Sequence, residues 1–310
     1  MSVEEELARF LPDKDTLLTV GVFDGVHLGH KFLLSKLLEQ AGQQNLLGGV
    51  VTFRRHPQEV LRPQSKLPFL TDLVERNRLL ENEGIELIVP LPFTPEVSRL
   101  NARQFVSLLK QYLRMRGLVI GPDFALGRGR EGSADTLRAL GKESGFSVTV
   151  VSAVMINGEV VSSTAIRKAL AAGDMKKVRR LAGRTFSLHG AVVGGAGRGM
   201  ELGFPTANLE IDPGQAAPAD GVYAGWAYIN GRAYQAMTNI GQNPTFGDSK
   251  RAVEVYVVDY QGDLYGHELK IDIMERLRGE QKFDSVEELK QQMTEDVKHG
   301  KAILNSEGGN

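Results

Sequence analysis

The chain has 310 residues, 42% of them hydrophobic and 24% charged, with a formal net charge of −1 and no cysteine. That length favours two domains of ordinary size with a globular composition, and the near-neutral charge argues against a broad nucleic-acid footprint. The lack of cysteine excludes disulfides, thiolate metal sites and a cysteine nucleophile, and fits a reducing cytoplasm. In chain order, the acidic start "MSVEEELARF" lacks the basic-then-apolar order of a signal peptide. No apolar run approaches the roughly 20 residues that span a bilayer, so no membrane partner is expected. "TLLTVGVF" reads as a buried strand, and "HKFLLSKLLEQA" as a helix with Leu33, Leu34, Leu37, Leu38 and Ala41 on one face. "LLGGVVTF" is the next strand, "LVERNRLLENEG" a helix ended by glycine, "IELIVPL" a strand and "NARQFVSLLKQYLRMRG" a helix. "LVIG", "ADTLRALGKESG" and "FSVTVVSAV" continue the alternation, which predicts a parallel sheet with helices on both faces.

After "SSTAIRKALAAGDMKKVRRLAGRTF" the texture changes. "FSLHGAVVGG", "GVYAGWAYING", "RAYQAMTNIG", "RAVEVYVVDY" and "ELKIDIMERL" are short, β-rich and separated by glycine turns, which predicts a compact antiparallel barrel or sandwich. "SVEELKQQMTEDVKHGKAIL" reads as a closing helix, with Ser285 as N-cap and Glu288 completing a capping box. The boundary is expected near Arg184, giving domains 1–183 and 184–310.

Ligands of open parallel sheets bind outside the carboxyl ends of the strands, and "GVFDGVHLGH" lies at such an end, directly before a helix. Two of the six histidines, His27 and His30, sit there three residues apart. A helix N-terminus favours phosphate, Gly25 and Gly29 let the backbone approach a ligand, and imidazoles donate to phosphoryl oxygens, most usefully in a transition state. The competing reading is a pair of surface or capping histidines. In the second half, "GGAGRGMELGFPTAN" is either a flap over nucleotide phosphates or an ordinary glycine-rich hairpin; it is neither a Walker loop nor a dinucleotide fingerprint. Pro205 fixes the backbone before Thr206. A threonine hydroxyl and an asparagine carbonyl are hard donors that Mg²⁺ accepts alongside phosphate. Glu254, between Val253 and Val255, is either an inward carboxylate in need of a partner or task, such as deprotonating a hydroxyl, or an exposed strand glutamate. His56, His189 and His267 are read as structural.

"TVGVFDGVHLGH" resembles the His-x-Gly-His signature of nucleotidyltransferases, in the version carried by bacterial bifunctional riboflavin kinase/FAD synthetases. "VSSTAIRKAL" resembles that family's second motif, "IGPDFALGRGREG" its segment near the flavin, and "LGFPTANL" with "TNIGQNPTF", "VEVYVVD" and "LRGEQKF" its riboflavin kinase module. The resemblance implies a Rossmann-like parallel-sheet nucleotidyltransferase domain followed by a small antiparallel β-barrel with a C-terminal helix. It implies ATP contacts in the first domain from Gly21, Phe23, Asp24, Gly29, Ser162, Ser163 and Thr164, and flavin contacts from Asp123 and Phe124. His27, His30 and Arg167 would act on the transferring phosphates. In the second domain it assigns ATP to Gly197, Gly199, Gly203, Pro205, Thr206 and Asn208, with Mg²⁺ on Thr206 and Asn208, flavin to Arg278, and the role of base to Glu254. The implied small molecules are ATP, riboflavin, FMN and FAD.

The sequence departs from the family pattern in three places. "FRRHP" has Arg54 and Arg55 where an acidic residue and proline are usual, Met200 stands where an arginine is usual, with Arg198 nearby, and Val22 replaces a more usual polar residue. Two other readings stand beside the bifunctional one: an adenylyltransferase alone, which makes FAD from FMN but no FMN from riboflavin, and a silent flavin-binding sensor, which binds flavin without turning over ATP.

Overall fold

The structure, a computed structural model, describes residues 2–62, 64, 67–194, 198–242 and 251–307. It divides into two compact units, Met1–Ser163 and Thr164–Asn310. In the first, β1 (Thr16–Val20), α1 (Leu28–Gln43), β2 (Leu47–Phe53), α2 (Leu73–Asn82), β3 (Leu87–Leu91), α3 (Ala102–Leu113), β4 (Met115–Ile120), α4 (Ala134–Ser144) and β5 (Ser147–Val150) follow in turn. The strands form one parallel sheet in the order β3-β2-β1-β4-β5. Every residue of β1 is buried, as befits the central strand of a sheet covered on both faces. One face packs on Phe105, Val106, Leu109 and Leu137 from α3 and α4, the other on Leu34, Leu37, Leu79 and Leu80 from α1 and α2. Pro90 lies in edge strand β3, where a missing N–H costs least. The strand order reverses beside β1, so a crevice is expected at the carboxyl ends of β1 and β4. One boundary differs from the periodicity: α3 stops at Leu113, Arg114 turns left-handed at φ 52°, and β4 begins at once. Arg114 and Arg116 both grip Asp15, at 3.0 and 2.7 Å, which fixes that turn.

The second unit holds most of α5 (Ser163–Ala172), then α6 (Met175–Ala182), β6 (Phe186–Val193), β7 (Thr206–Glu210), β8 (Gly221–Ile229), β9 (Arg232–Gln242), β10 (Arg251–Val257), β11 (Glu268–Arg278) and α7 (Val286–Glu307). The strands close into an antiparallel barrel, β6-β7-β10-β9-β8-β11. Its interior alternates as a half-buried strand must: Val253, Val255 and Val257 are buried, whereas Glu254 and Tyr256 are partly exposed. β7, five residues after a proline, was not legible as a strand. α6 buries Met175, Val178 and Leu181 and packs on β6 and β11. The Ala219 N–H donates to the Leu170 carbonyl of α5 at 2.9 Å. Leu304 of α7 packs with Ala224, Met237 and Trp226 on the outer face. Ser285 Oγ accepts from the Glu288 N–H, as a cap should, but the Glu288 carboxylate accepts from the Asp284 N–H rather than from Ser285.

Candidate active sites

The turn between β1 and α1 is strained. Phe23, Gly25 and Val26 have φ of 53°, 81° and 35°, and a β-branched residue pays most for such an angle. The turn is held by long-range hydrogen bonds. The Asp24 carboxylate accepts from the Leu70 N–H at 2.8 Å and from the Thr71 N–H at 3.1 Å, and the Gly25 N–H donates to Thr71 Oγ1 at 3.0 Å. Asp24, assigned to ATP by resemblance, is therefore a buried anchor in this geometry. Arg76 of α2, also buried, donates from Nη1 to the Val22 carbonyl at 2.6 Å and the Phe53 carbonyl at 3.0 Å.

His27 is the N-cap of α1: its Nδ1 accepts from the His30 N–H at 3.3 Å. The capping reading of His27 is thus realised, and it fixes the neutral ring's proton on Nε2. The two imidazoles stack, centroids 3.7 Å apart and planes 15° from parallel, and Phe23 lies 5.0 Å from His30. Burial, then the neighbouring His27 and Arg76, hold the His30 imidazole well below the usual histidine range. Among the described residues, the buried His30 Nδ1 has no hydrogen-bond partner. Gly29, in the first turn of α1, has room for no side chain without pressing on the His27 ring and the Val161 carbonyl. Ser163 Oγ donates to the Asp24 carbonyl at 2.9 Å, so the start of α5 is fastened to the same turn, with Ser162 just before it. Thr164 and Arg167 lie further along α5; Arg167, four residues beyond Ser163, shares its helix face.

Beside this turn lies a cavity of about 540 Å³ at the carboxyl ends of β1, β2 and β4. Gly21 and Val22, Phe53, Phe93 and the expected pair Asp123 and Phe124 line it. An aromatic wall with few polar groups suits a flat heteroaromatic ring. His56, read as structural, does cap the helix Pro57–Leu61, accepting from the Gln58 N–H at 3.1 Å, and it also faces the cavity. Arg54 is accounted for as well: it reaches back to the buried Glu6 at 2.6 Å. Nothing in the structure explains Arg55.

In the barrel, Asn208 of β7 sits directly opposite Glu254 of β10, which in turn sits opposite Asn239 of β9. Cross-strand neighbours share a face, so these three form a polar row, and Thr206, two residues before Asn208, shares it. This face is opposite the buried valines, so Glu254 does not point into the barrel core. Pro205 leads into β7 from a folded loop: the Phe204 N–H donates to the Gly199 carbonyl at 2.8 Å and the Gly203 N–H to the Met200 carbonyl at 3.1 Å. A Cβ on Gly199 would fall 2.4 Å from the Phe204 carbonyl, so only glycine allows that closure. Gly197 lies outside the described residues. Met200, where an arginine is usual, is 69% exposed. Arg278 is not in the polar row; its guanidinium is bound in a fork to Asp296 of α7, at 2.8 and 3.0 Å. Arg76, Thr71, His56 and Asn239 were missed by the sequence reading. The only signal was "TDLVER", whose Asp72 caps α2 and sets the phase that turns Arg76 inward.

A family model described as FAD synthetase matches residues 11–165, and one described as riboflavin kinase matches residues 182–304. The bifunctional riboflavin kinase/FMN adenylyltransferase of Escherichia coli (strain K12) is 36% identical over 287 residues, 92% of this chain and 91% of that protein. That of Bacillus subtilis (strain 168) is 32% identical over 95% of this chain and 92% of that protein. A crystal structure from Streptococcus pneumoniae, described as a macrolide-efflux protein, superposes with a TM-score of 0.88 at 30% identity, covering 95% of this chain and 96% of that one. The efflux description belongs to that protein; among the described residues here, no helix is long and apolar enough to cross a membrane. With both models in the order of the two units and relatives matched end to end, the chain belongs to the bifunctional riboflavin kinase/FMN adenylyltransferase family.

Proposed function

We propose that the chain makes FAD from riboflavin in two steps, with residues 184–310 acting as the kinase and residues 1–183 as the adenylyltransferase. In the first step, Glu254 takes the proton of the riboflavin 5′-hydroxyl, whose oxygen bonds to the γ-phosphorus of ATP as ADP leaves, giving FMN. In the second, an FMN phosphate oxygen bonds to the α-phosphorus of another ATP, and the bond to the departing pyrophosphate breaks, giving FAD. The second substrate brings its own nucleophile, so the protein supplies donors rather than a covalent intermediate. His27, with its proton on Nε2, and the uncharged His30 donate to the transferring group. Arg167 holds the pyrophosphate, with Ser162, Ser163 and Thr164, while Gly21, Phe23, Asp24 and Gly29 shape the turn around ATP. Asp123 and Phe124 hold the flavin ring of FMN. Gly197, Gly199, Gly203 and Pro205 close over the kinase ATP, and Arg278, through its fork to Asp296, shapes the flavin end of the barrel.

Mg²⁺ fits the donor set. Thr206 and Asn208 offer a hydroxyl and an amide oxygen on one face. Among the described residues no cluster of three carboxylates or histidines would hold an ion alone, so phosphate oxygens must complete the shell. When bound, the ion offsets charge between anionic partners. Small molecules are the partners of this reading; it involves neither nucleic acid nor membrane and places the enzyme in the cytoplasm.

The observation that carries the proposal is the stacked histidine pair at a helix N-terminus beside an aromatic cavity. Protein, riboflavin, ATP and Mg²⁺ are incubated and the flavins separated. His30→Ala should cut FAD formation by about 10²–10³ and spare FMN formation. Asn208→Ala and Glu254→Ala should do the reverse. Equal loss of both activities in one folded variant contradicts the division of labour. The exposure of Met200 favours one second reading, adenylyltransferase alone; FAD from supplied FMN, with no FMN from riboflavin, would establish it.

A further inference from the structure

We propose that Arg76 is a positioning residue for adenylyl transfer, a buried clamp that keeps the histidine turn and the cavity wall in register. The β1–β2 ladder ends at Val20 opposite Val51, with one last bond from the Gly21 N–H to the Val51 carbonyl at 3.0 Å. The ladder register stops there, and each strand end supplies a lining residue to the cavity: Val22 from the turn and Phe53 from β2. A single nitrogen, Arg76 Nη1, donates to both of their carbonyls, at 2.6 and 3.0 Å. Thr52 Oγ1 reinforces the link, donating to the Val22 carbonyl at 3.0 Å and lying 3.4 Å from the same Nη1. Arg76 is 4% exposed and Thr52 is fully buried, so neither is a solvated surface group.

The guanidinium also acts on the histidines. After burial and His27, it disfavours the charged form of His30; its own charged form is disfavoured by burial, against the pull of the Asp24 and Asp72 carboxylates. Among the described residues, the buried Arg76 Nε has no partner. Here the donors that are used converge on the two carbonyls that set the distance between the phosphate-facing turn and the aromatic wall. A shift of even an ångström between those two surfaces misaligns a nucleophile and the phosphorus that it attacks.

The proposal rests on the adenylyltransferase reading. FAD formation by the unaltered chain tests that reading, and only the ratio of variant to unaltered rate tests Arg76. Full-length Arg76→Met, Arg76→Lys and Thr52→Val are assayed for kcat and KM of FAD formation from FMN, with riboflavin phosphorylation in the same sample as the folding control. Arg76→Met is expected to lower kcat for FAD formation at least 30-fold, with a smaller change in the KM for FMN and kinase rates within twofold. Arg76→Lys should recover most of that loss, and Thr52→Val should lose about three- to tenfold. If Arg76→Met does not fold, the lysine and valine variants decide. Unaltered FAD formation in both of them overturns the proposal, as does a loss in Arg76→Met that Arg76→Lys shares in full and that follows melting temperature.

Discussion

The imidazole of His30 resists protonation in the folded protein because burial, and after it the neighbouring His27 and Arg76, disfavour its charged form. In an unfolded chain the same side chain titrates near 6.5. Above that pH both states are neutral and folding is not penalised. Below it the unfolded state takes up a proton that the folded state refuses, so stability falls as the pH drops from about 6.5 towards the depressed folded value. Replacing the ring by an amide, His30→Gln, removes that linkage. The urea midpoint of the unaltered chain, followed by far-UV circular dichroism, should therefore fall more between pH 7 and pH 5 than that of His30→Gln. Parallel slopes would show that His30 is not the titrating group. Two residue-scale departures from the family pattern differ in kind. Arg54 has a buried partner in Glu6 and belongs to the scaffold, whereas Met200 is exposed.

At the scale of elements, two joints can be tested. Gly25 holds φ at 81°, and a Cβ there would fall 2.8 Å from Leu70 Cδ1. Gly25→Ala should cost about 1–2 kcal/mol from the left-handed backbone alone, and it should slow FAD formation while leaving the kinase intact, as read from paired flavin assays. The second joint is the fork between Arg278 and Asp296, with side chains 17% and 9% exposed. Asp296→Ala leaves a nearly buried guanidinium without its counter-charge, which should cost about 3–5 kcal/mol. Trp226, the chain's single tryptophan, packs near α7, so its fluorescence during urea unfolding reports that loss directly.

The same elements show what the sequence could reveal. The parallel sheet was legible because strand and helix periods alternate from Thr16 to Val150. The histidine turn was legible because its residues are contiguous. β7 escaped because five residues after a proline carry too little alternation. Arg76 escaped because a charged residue in a polar helix reads as solvent-facing, and its acceptors lie 23 and 54 positions away in sequence. The partner of Arg278 is a full strand-to-helix connection away, 18 residues on, so spacing alone gave its charge and not its role.

For the whole molecule, the division at Ser163 and Thr164 falls inside α5, ahead of the change in sequence texture near Arg184. α6 buries Met175, Val178 and Leu181 against the barrel strands, and Lys176 pairs with Glu275 at 2.8 Å. A fragment of residues 184–310 lacks that cover, so its urea midpoint, read at Trp226, should lie below that of residues 164–310. Equal midpoints would show that the two helices do not contribute to the barrel's stability. The aromatic cavity has a different dependence on chain length. Its walls come from Val20 at one extreme and Arg130 at the other. A chain emerging from the ribosome has no enclosure to offer until about the first 130 residues are out, so a ligand of this cavity cannot template the earliest folding of the sheet and can only reward its completion.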